Sequence, residues 1–193
     1  MAPAVAALTL SGEVVIEFTF VETVPRARPL LFRTLRDRVE ELVPHMKNAV
    51  GITERSRGVD ARGVVTREAI WRGAPEEVPA LIRPMVRPEA LVWVETTRWD
   101  ERDWTCEWTI RLPVMAEVFT ARGRNAFLAE GEGSRVEMAG EFSVHPEALP
   151  SVPTLPPALV RTVVPPLERF VVALLDPNLK EAVRAARRFL DQE

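Results

Sequence analysis

Glu95 stands on a predicted strand face that is mostly apolar, two residues after Trp93 and beside Trp108 of the next predicted strand. A carboxylate in such surroundings must be paired, hydrogen-bonded or protonated, because burying a bare charge is costly. Glu95 is therefore a candidate to meet a polar group of a ligand, or to act as a general acid or base. Two other interpretations need no ligand. Glu95 then either reaches the rim of the sheet or pairs with an arginine such as Arg67.

Two more polar side chains, Thr97 and Asn125, fall on the same predicted apolar faces. Such groups can orient a ligand in an apolar site. Asn125 has a structural alternative, a hydrogen bond to a bulged strand beside Gly123. Cys106 faces the same side as Thr97, and a small buried filler is the expected role for it.

Signatures of known catalytic sites are absent from the sequence. It contains no G-x-S-x-G, H-E-x-x-H, C-x-x-C, Walker A or G-x-G-x-x-G motif. The two histidines, His45 and His145, each stand next to a proline at the end of a predicted element. A catalytic zinc site needs three protein ligands that this chain barely supplies. We therefore predict no metal site and no cofactor, and a binding protein is favoured over an enzyme.

The first hairpin that positions these residues is predicted between Leu91 and Leu112. Asp100, Glu101, Arg102 and Asp103 form its turn, which sets the pairs on one face. These pairs are Trp99 with Trp104, Thr97 with Cys106, Glu95 with Trp108, Trp93 with Ile110 and Leu91 with Leu112. A slip by one residue would mix apolar and polar positions, so the burial pattern supports this register.

A second hairpin is predicted between Phe119 and Val144, turning at Glu130-Gly131-Glu132-Gly133. Its inward pairs are Phe127 with Val136, Asn125 with Met138, Ala121 with Phe142 and Phe119 with Val144. Its outward pairs are Ala126 with Glu137 and Arg122 with Glu141, which suit a solvent-exposed face.

The remaining elements are a strand, a helix and a third hairpin. Alternation from Val14 to Phe20 predicts a strand with one buried face. Leu31, Leu35, Val39 and Leu42 form the apolar stripe of a helix that begins near Pro29 and is stopped by Pro44. A third hairpin is predicted over 49–57 and 63–71, with no clear inward face. Residues 75–88 are predicted as a loop with at most a short helix.

The C-terminal part is predicted to be a Pro-rich bridge, residues 146–157, followed by a long amphipathic helix. Its stripe begins with Leu167, Phe170, Val171, Leu174 and Leu175, breaks at Pro177, and continues with Leu179, Val183, Ala186 and Leu190. Lys180, Arg184, Arg187 and Arg188 lie opposite this stripe. They predict either a solvated helix face or a weak contact with an anionic membrane surface.

Composition limits the class of protein. The 193 residues are 47% hydrophobic and 27% charged, which is typical of a folded chain, and we predict one domain over residues 1–193. The net charge of -3 argues against nucleic-acid binding through a general positive field. A single cysteine fits a reducing compartment. The start lacks the basic region of a signal peptide, and no run of about 18 uncharged apolar residues predicts a membrane span. The predicted location is the cytoplasm.

The order of these elements resembles the START-like, or SRPBCC, superfamily. The likeness rests on "VETVP" at the end of the first strand, the helix "RPLLFRTLRDRVEELVP", the late hairpin "GEGSRVEMAGEFSV" and the closing helix "PPLERFVVALLDPNLKEAVRAARRFL". It implies an α+β helix-grip fold, in which a curved antiparallel sheet of about six or seven strands wraps a long C-terminal helix. It also implies an elongated apolar cavity between them, since members of the superfamily bind or transport hydrophobic molecules and a minority are enzymes.

We therefore expect a protein that binds or transports a hydrophobic small molecule, such as a lipid, a polyketide or an aromatic metabolite. The predicted ligand-binding residues are Trp93, Glu95, Thr97, Trp108, Asn125, Phe127, Met138, Phe142, Phe170 and Leu174. One alternative is an enzyme of the cyclase or hydratase type that uses Glu95 as its acid–base group. Another is a protein-interaction module whose sheet–helix space is filled by side chains.

Overall fold

Eight antiparallel strands form one sheet in the part of the chain that the computed structural model describes, residues 4–10, 13–77, 88–116, 119–144 and 179–192. The strands are β1 (Ala4–Leu10), β2 (Glu13–Val24), β3 (Ala49–Val59), β4 (Val65–Gly73), β5 (Val92–Asp100), β6 (Thr105–Arg111), β7 (Phe119–Glu130) and β8 (Gly133–Val144). The helices are α1 (Arg28–Asp37) and α2, whose described residues are 179–190. A 3-10 helix over Val39–His45 follows α1, and shorter 3-10 turns cover Pro75–Glu77, Pro88–Leu91 and Pro113–Met115.

The strand order is β1-β2-β8-β7-β6-β5-β4-β3, with antiparallel pairing throughout. Because β2 pairs with β8, the segment containing α1 carries the chain from β2 to the opposite edge of the sheet, where β3 begins. The predicted α+β class, antiparallel sheet and C-terminal helix are confirmed. The described sheet has one strand more than predicted, since β1 pairs with β2 although its sequence, AVAALTL, lacks a clear apolar–polar alternation.

The core lies between the inner face of the sheet and the two helices. The ring of Phe32, on α1, makes edge-to-face contacts with Trp99, Trp104 and Phe127, at centroid distances of 5.1, 5.3 and 5.1 Å. Such aromatic contacts add about 0.5–1.5 kcal/mol each to the free energy of area burial. From α2, Val183, Ala186 and Leu190 are buried, which confirms this part of the predicted stripe.

The helix α1 ends earlier than predicted. Pro29 lies in its first turn as expected, but the α-helix stops at Asp37, not at Pro44. Arg38 leaves helical geometry, with φ -125° and ψ 22°, and Pro44 lies inside the following 3-10 helix. Proline disfavours the α conformation of the residue before it, but the α-helix has already ended at Arg38, six residues before Pro44. The tighter turn still buries Val39 and Leu42.

The β7–β8 hairpin has the predicted register at every named pair, from Phe127 with Val136 to Phe119 with Val144. Glu130 pairs with Gly133, and Gly131 has a φ of 59° between them. The left-handed conformation of a two-residue hairpin turn favours glycine at this position, which is why the sequence marked the turn clearly.

The predicted register of the β5–β6 hairpin is wrong by two residues. Asp100 pairs with Thr105, so Glu95 faces Ile110, Thr97 faces Trp108 and Trp99 faces Cys106. The turn consists of residues 101–104, and Trp104 takes the left-handed conformation with a φ of 55°. Because the error is an even number, every side chain within β5 and β6 still lies on its predicted face.

The third hairpin is confirmed, with β3 ending two residues later than predicted and β4 shifted by two residues, to Val65–Gly73. Asp60 holds the connection, because its carboxylate accepts hydrogen bonds from the N–H groups of Arg62 and Val64. The structure also settles the face of β4 that the sequence left open. Its buried positions are Val65, Arg67, Ala69 and Trp71.

Candidate functional site

The sheet brings most of the predicted site residues onto one face. One cross-strand row contains Arg67, Thr97, Trp108, Gly123, Gly140 and Phe18, and the next contains Trp99, Cys106, Asn125, Met138 and Phe20. Trp93, Trp108, Phe127 and Met138 therefore lie on the same side of the sheet, as the alternation predicted. Phe170 and Leu174 lie outside the described residues.

One end of this inner face is packed core. Phe127 and Met138 are each 1% exposed, and Trp99 is 5% exposed. Phe127 packs against Phe32 and Trp99. These side chains pack beside the site and have almost no accessible surface that a ligand could contact.

The middle of the face depends on two glycines. A Cβ atom at Gly123 would lie 2.4 Å from Cζ2 of Trp108, and one at Gly140 would lie 2.9 Å from Cζ of Phe18. The bare backbone therefore lets both rings lie flat on the sheet, parallel to each other with centroids 6.2 Å apart. Neither glycine has a positive φ, so their role is to let the aromatic rings approach the backbone closely.

Asn125 is satisfied by this arrangement. Nε1 of Trp108 donates to Oδ1 of Asn125 over 3.0 Å. The bulge predicted beside Gly123 is wrong, because β7 pairs with both of its neighbours without a register shift. The partner of Asn125 is instead the N–H of Trp108, a buried donor that itself requires an acceptor.

Glu95 lies further along the face, with its side chain 18% exposed. Nε1 of Trp71 donates to its Oε2 over 3.1 Å, and Nη2 of Arg67 lies 3.6 Å from the same oxygen. The pairing with Arg67 that the sequence suggested is thus confirmed. Burial raises the pKa of Glu95 above its ordinary value, while the charge of Arg67 and the hydrogen bond from Trp71 act in the opposite direction.

Arg67 is a buried cation, only 2% exposed. Besides Glu95, its Nη1 donates to the carbonyl oxygen of Arg36 at the end of α1, over 3.1 Å. Its Nε has no hydrogen-bond partner among the described residues. The hydroxyl of Thr97 donates to the carbonyl oxygen of Arg67 over 3.5 Å, which accounts for a second predicted polar residue.

Cys106, 2% exposed, is buried as predicted. Its pKa is raised well above the ordinary value, chiefly by burial and next by the nearby charge of Glu95. A thiol of this kind is a poor nucleophile, because the thiolate is the reactive form.

Trp71 is a residue that sequence reasoning missed. It stacks on Trp93 with centroids 5.7 Å apart and an interplanar angle of 18°. The two are directly opposite each other in β4 and β5. The available signal was the demand of a buried carboxylate for a donor. Together with Arg67 as a partner, that demand fixes the odd-numbered residues of β4 as the inward ones.

Four inward-facing residues at this end retain accessible surface. Trp93, Glu95, Ile110 and Phe142 are half-buried, whereas their counterparts at the other end of the face are buried. Glu95, Ile110, Ala121 and Phe142 follow one another across β5, β6, β7 and β8. They form a continuous apolar strip with one carboxylate at its end.

The basic side chains of α2 contact the protein itself. Arg184 pairs with Glu22 at 3.1 Å, Arg188 with Glu181 at 2.5 Å, and Arg187 with Asp191 at 3.8 Å. The ammonium group of Lys180 lies 5.4 Å from the ring centroid of Phe20. A contact of this stripe with a membrane surface stays a prediction. No described helix combines the length and apolar character that a membrane span requires.

Other surfaces of the described residues offer few alternatives. The large apolar side chains that are exposed there, Leu30, Val50, Val59 and Val114, lie on different elements or at opposite ends of β3. Single exposed residues of this kind are ordinary on protein surfaces. Within the described ranges, no three His, Cys, Asp or Glu side chains group closely enough to hold a metal ion.

No protein-family model and no curated protein matches the sequence, but solved structures do. TTHA0849 from Thermus thermophilus is 17% identical with a TM-score of 0.57, covering 89% of this chain and 94% of that one. The di-domain ARO/CYC StfQ from the steffimycin biosynthetic pathway is 14% identical with a TM-score of 0.62, covering 92% of this chain and 51% of that one. Norcoclaurine synthase from Thalictrum flavum is 10% identical with a TM-score of 0.57, covering 94% and 90%.

Identities this low carry information about the fold, and the three neighbours agree on it. The chain shares a helix-grip fold with these structures, which is the fold that the resemblance of its sequence implied.

Proposed function

We propose that this protein binds a hydrophobic small molecule against the strip formed by Glu95, Ile110, Ala121 and Phe142, with Trp93 beside it. The observation that carries the proposal is the contrast along the inner face. Its far end is packed to 1–5% exposure around Phe127, Met138 and Trp99, whereas this strip faces inward and still has accessible surface. Apolar side chains that face a protein interior without being fully packed are typical of ligand sites.

The chemistry of the strip supports the same function. It is apolar along three strands and has one carboxylate, so most of the binding free energy would come from area burial at about 25 cal/mol per Å². Glu95 would then supply orientation. The StfQ and norcoclaurine synthase neighbours are by name an ARO/CYC protein and a synthase, so the same fold also serves proteins that act on small molecules.

The test is to fill the strip and measure binding of an uncharged apolar probe. N-phenyl-1-naphthylamine becomes fluorescent in apolar sites, and Ile110→Trp would place a bulky ring in the middle of the strip. We expect the variant to bind the probe at least about tenfold more weakly than the wild type, a loss of roughly 1.4 kcal/mol.

The matched control is Val59→Trp, which adds the same ring at a residue that is 67% exposed at the far end of β3. It should bind the probe like the wild type. Equal probe binding by both variants, or a wild-type protein that neither binds the probe nor yields an organic molecule on extraction, contradicts the proposal. Circular dichroism checks that each variant is folded.

A second function, acid–base catalysis in a cyclase or hydratase, is favoured by one observation. Glu95 combines a pKa raised by burial with partial exposure on the strip. For any substrate found, Glu95→Gln should lower turnover, typically by about 10²–10⁴-fold, and by more than it weakens binding. Unchanged turnover in this variant would leave binding as the function.

A further inference from the structure

The carboxyl group of Glu95 is only partly used by the protein. Both contacts, from Nε1 of Trp71 at 3.1 Å and from Nη2 of Arg67 at 3.6 Å, go to Oε2. Among the described residues nothing donates a hydrogen bond to Oε1, and the side chain is 18% exposed. An ionised carboxylate has about four acceptor sites, so the free oxygen can accept a donor that arrives from the strip.

The charge of the site is already balanced. A buried guanidinium such as that of Arg67 requires an anion nearby. Among the described residues, Glu95 is the carboxylate that pairs with Arg67. Along the inward faces of β4, β5 and β6, Arg67 and Glu95 are the charged side chains, so a ligand that brought a further negative charge would be repelled by Glu95.

The same carboxyl group is tied to an aromatic platform. Trp71, which donates to Glu95, stacks on Trp93, and Trp93 keeps accessible surface. The strands β4 and β5 therefore hold Oε1 of Glu95 and the ring of Trp93 in a fixed arrangement. Flat aromatic ligands gain from stacking on such a surface beyond simple area burial.

We propose, on the basis of the binding function above, that the ligand is an uncharged aromatic compound carrying a hydrogen-bond donor, such as a phenolic hydroxyl or an aromatic amine. Its ring lies against Trp93 and its donor bonds to Oε1 of Glu95. Glu95 then determines specificity by favouring donors over groups that only accept, and neutral ligands over anions.

The test uses four naphthalenes of nearly equal size as competitors of N-phenyl-1-naphthylamine at pH 7. They are 2-naphthol, 2-methoxynaphthalene, naphthalene and 2-naphthoate. We expect 2-naphthol to bind about tenfold or more tightly than 2-methoxynaphthalene, because a hydrogen bond to a charged group contributes that much. The carboxylate of 2-naphthoate should bind most weakly of all.

Glu95→Gln should abolish this preference. Its amide oxygen must face the N–H of Trp71 and Arg67, so its NH₂ group replaces Oε1 and can no longer accept. The ratio between 2-naphthol and 2-methoxynaphthalene should fall to about one. The matched control is Glu107→Gln on the outer face of β6, where Glu107 pairs with Arg98 at 3.3 Å. It should keep the wild-type ratio.

The outcomes separate this inference from the function on which it rests. Probe binding that Ile110→Trp abolishes, together with equal affinities for 2-naphthol and 2-methoxynaphthalene, overturns the inference and keeps the function. Absence of probe binding overturns both. Should Glu95→Gln not fold, Trp71→Phe removes the N–H that fixes the carboxyl group and should also lower the ratio. An unchanged ratio in that folded variant overturns the inference.

Discussion

At the scale of single residues, Asp100 shows how one carboxylate fixes the turn beneath the site. It is 7% exposed, and its Oδ1 accepts hydrogen bonds from the backbone N–H and the Nε of Arg102, at 3.0 and 3.1 Å. Nη2 of Arg102 donates to Oδ2 over 2.7 Å. These donors lower the pKa of Asp100 to about 2, and the side-chain hydrogen bonds from Arg102 are the largest cause.

The lowered pKa makes the contribution of Asp100 to stability depend on pH. The ordinary pKa of 3.8 applies to the unfolded chain, so the stabilisation is fully present above about pH 4 and is lost as the pH falls toward 2. We expect Asp100→Asn to be less stable than the wild type at pH 7 and the difference to shrink between about pH 4 and pH 2. Urea unfolding of both proteins at several pH values measures it.

The control for this prediction is Asp103→Asn in the same turn, where the side chain is exposed. Its effect on the free energy of unfolding at pH 7 should stay within about 0.5 kcal/mol. A difference between wild type and Asp100→Asn that is equal at pH 7 and at about pH 2.5 would contradict the assigned pKa.

The sequence predicted a hydrogen-bond or ion-pair partner only for a side chain that cannot be buried without one. Glu95 pointed to Arg67 because a buried carboxylate needs a cation or a donor. Trp71 was not predicted as a partner of Glu95. The sequence did not assign the inward face of β4, so nothing indicated that the N–H of Trp71 meets a carboxylate on the neighbouring strand. The partner of Asn125 was not predicted either, because its donor, Trp108, lies on another strand and comes within reach only when the sheet has formed.

At the scale of elements, the two inner hairpins show what sets a register. Gly131 marks a two-residue turn that only one register can satisfy, and β7–β8 was predicted correctly. The turn of β5–β6 contains no glycine, and Trp104 takes the left-handed conformation instead. Two placements of a four-residue turn then share the same burial pattern, so the alternation fixes the faces but not the pairs.

Gly123 of β7 lies between Trp108 of β6 and Gly140 of β8, and a substitution there tests how the ring of Trp108 packs on the sheet. A Cβ atom there would lie 2.4 Å from both the carbonyl oxygen of Ala139 and Cζ2 of Trp108. The backbone oxygen cannot yield without disturbing the ladder, so we expect Gly123→Ala to lower the free energy of unfolding by about 1–3 kcal/mol. Urea unfolding followed by tryptophan fluorescence measures the change.

Gly58→Ala is the matched control in the same sheet. A Cβ atom at Gly58, in β3, meets nothing within 4 Å. Its stability should be unchanged or higher by up to about 1 kcal/mol, because alanine restricts the unfolded chain. Equal effects of the two substitutions would show that Trp108 does not rest on the backbone at Gly123.

At the scale of the whole molecule, the described part of α2 is held by polar contacts as well as by its apolar stripe. Glu181 is 6% exposed and accepts hydrogen bonds from the backbone N–H of Lys47, at 2.9 Å, and from Arg188, at 2.5 Å. Arg188 also donates to the carbonyl oxygen of His45. The stripe was predictable from its spacing, whereas Lys47 and His45 lie 134 and 143 positions away from their partners in the chain and meet them only in the finished fold.

Arg188 should therefore matter to stability far more than its neighbour in sequence. Arg188→Ala leaves the buried carboxylate of Glu181 with the N–H of Lys47 as its remaining partner among the described residues, and leaves a carbonyl oxygen without its donor. Breaking a buried pair costs about 3–5 kcal/mol, and since the Arg188 side chain is 37% exposed we expect about 1–3 kcal/mol. Arg187→Ala removes an exposed pair with Asp191 at 3.8 Å and should cost less than about 0.5 kcal/mol. Urea unfolding compares the two variants, and equal losses would mean that charge on α2, rather than the link between α2 and the segment after α1, stabilises this end of the fold.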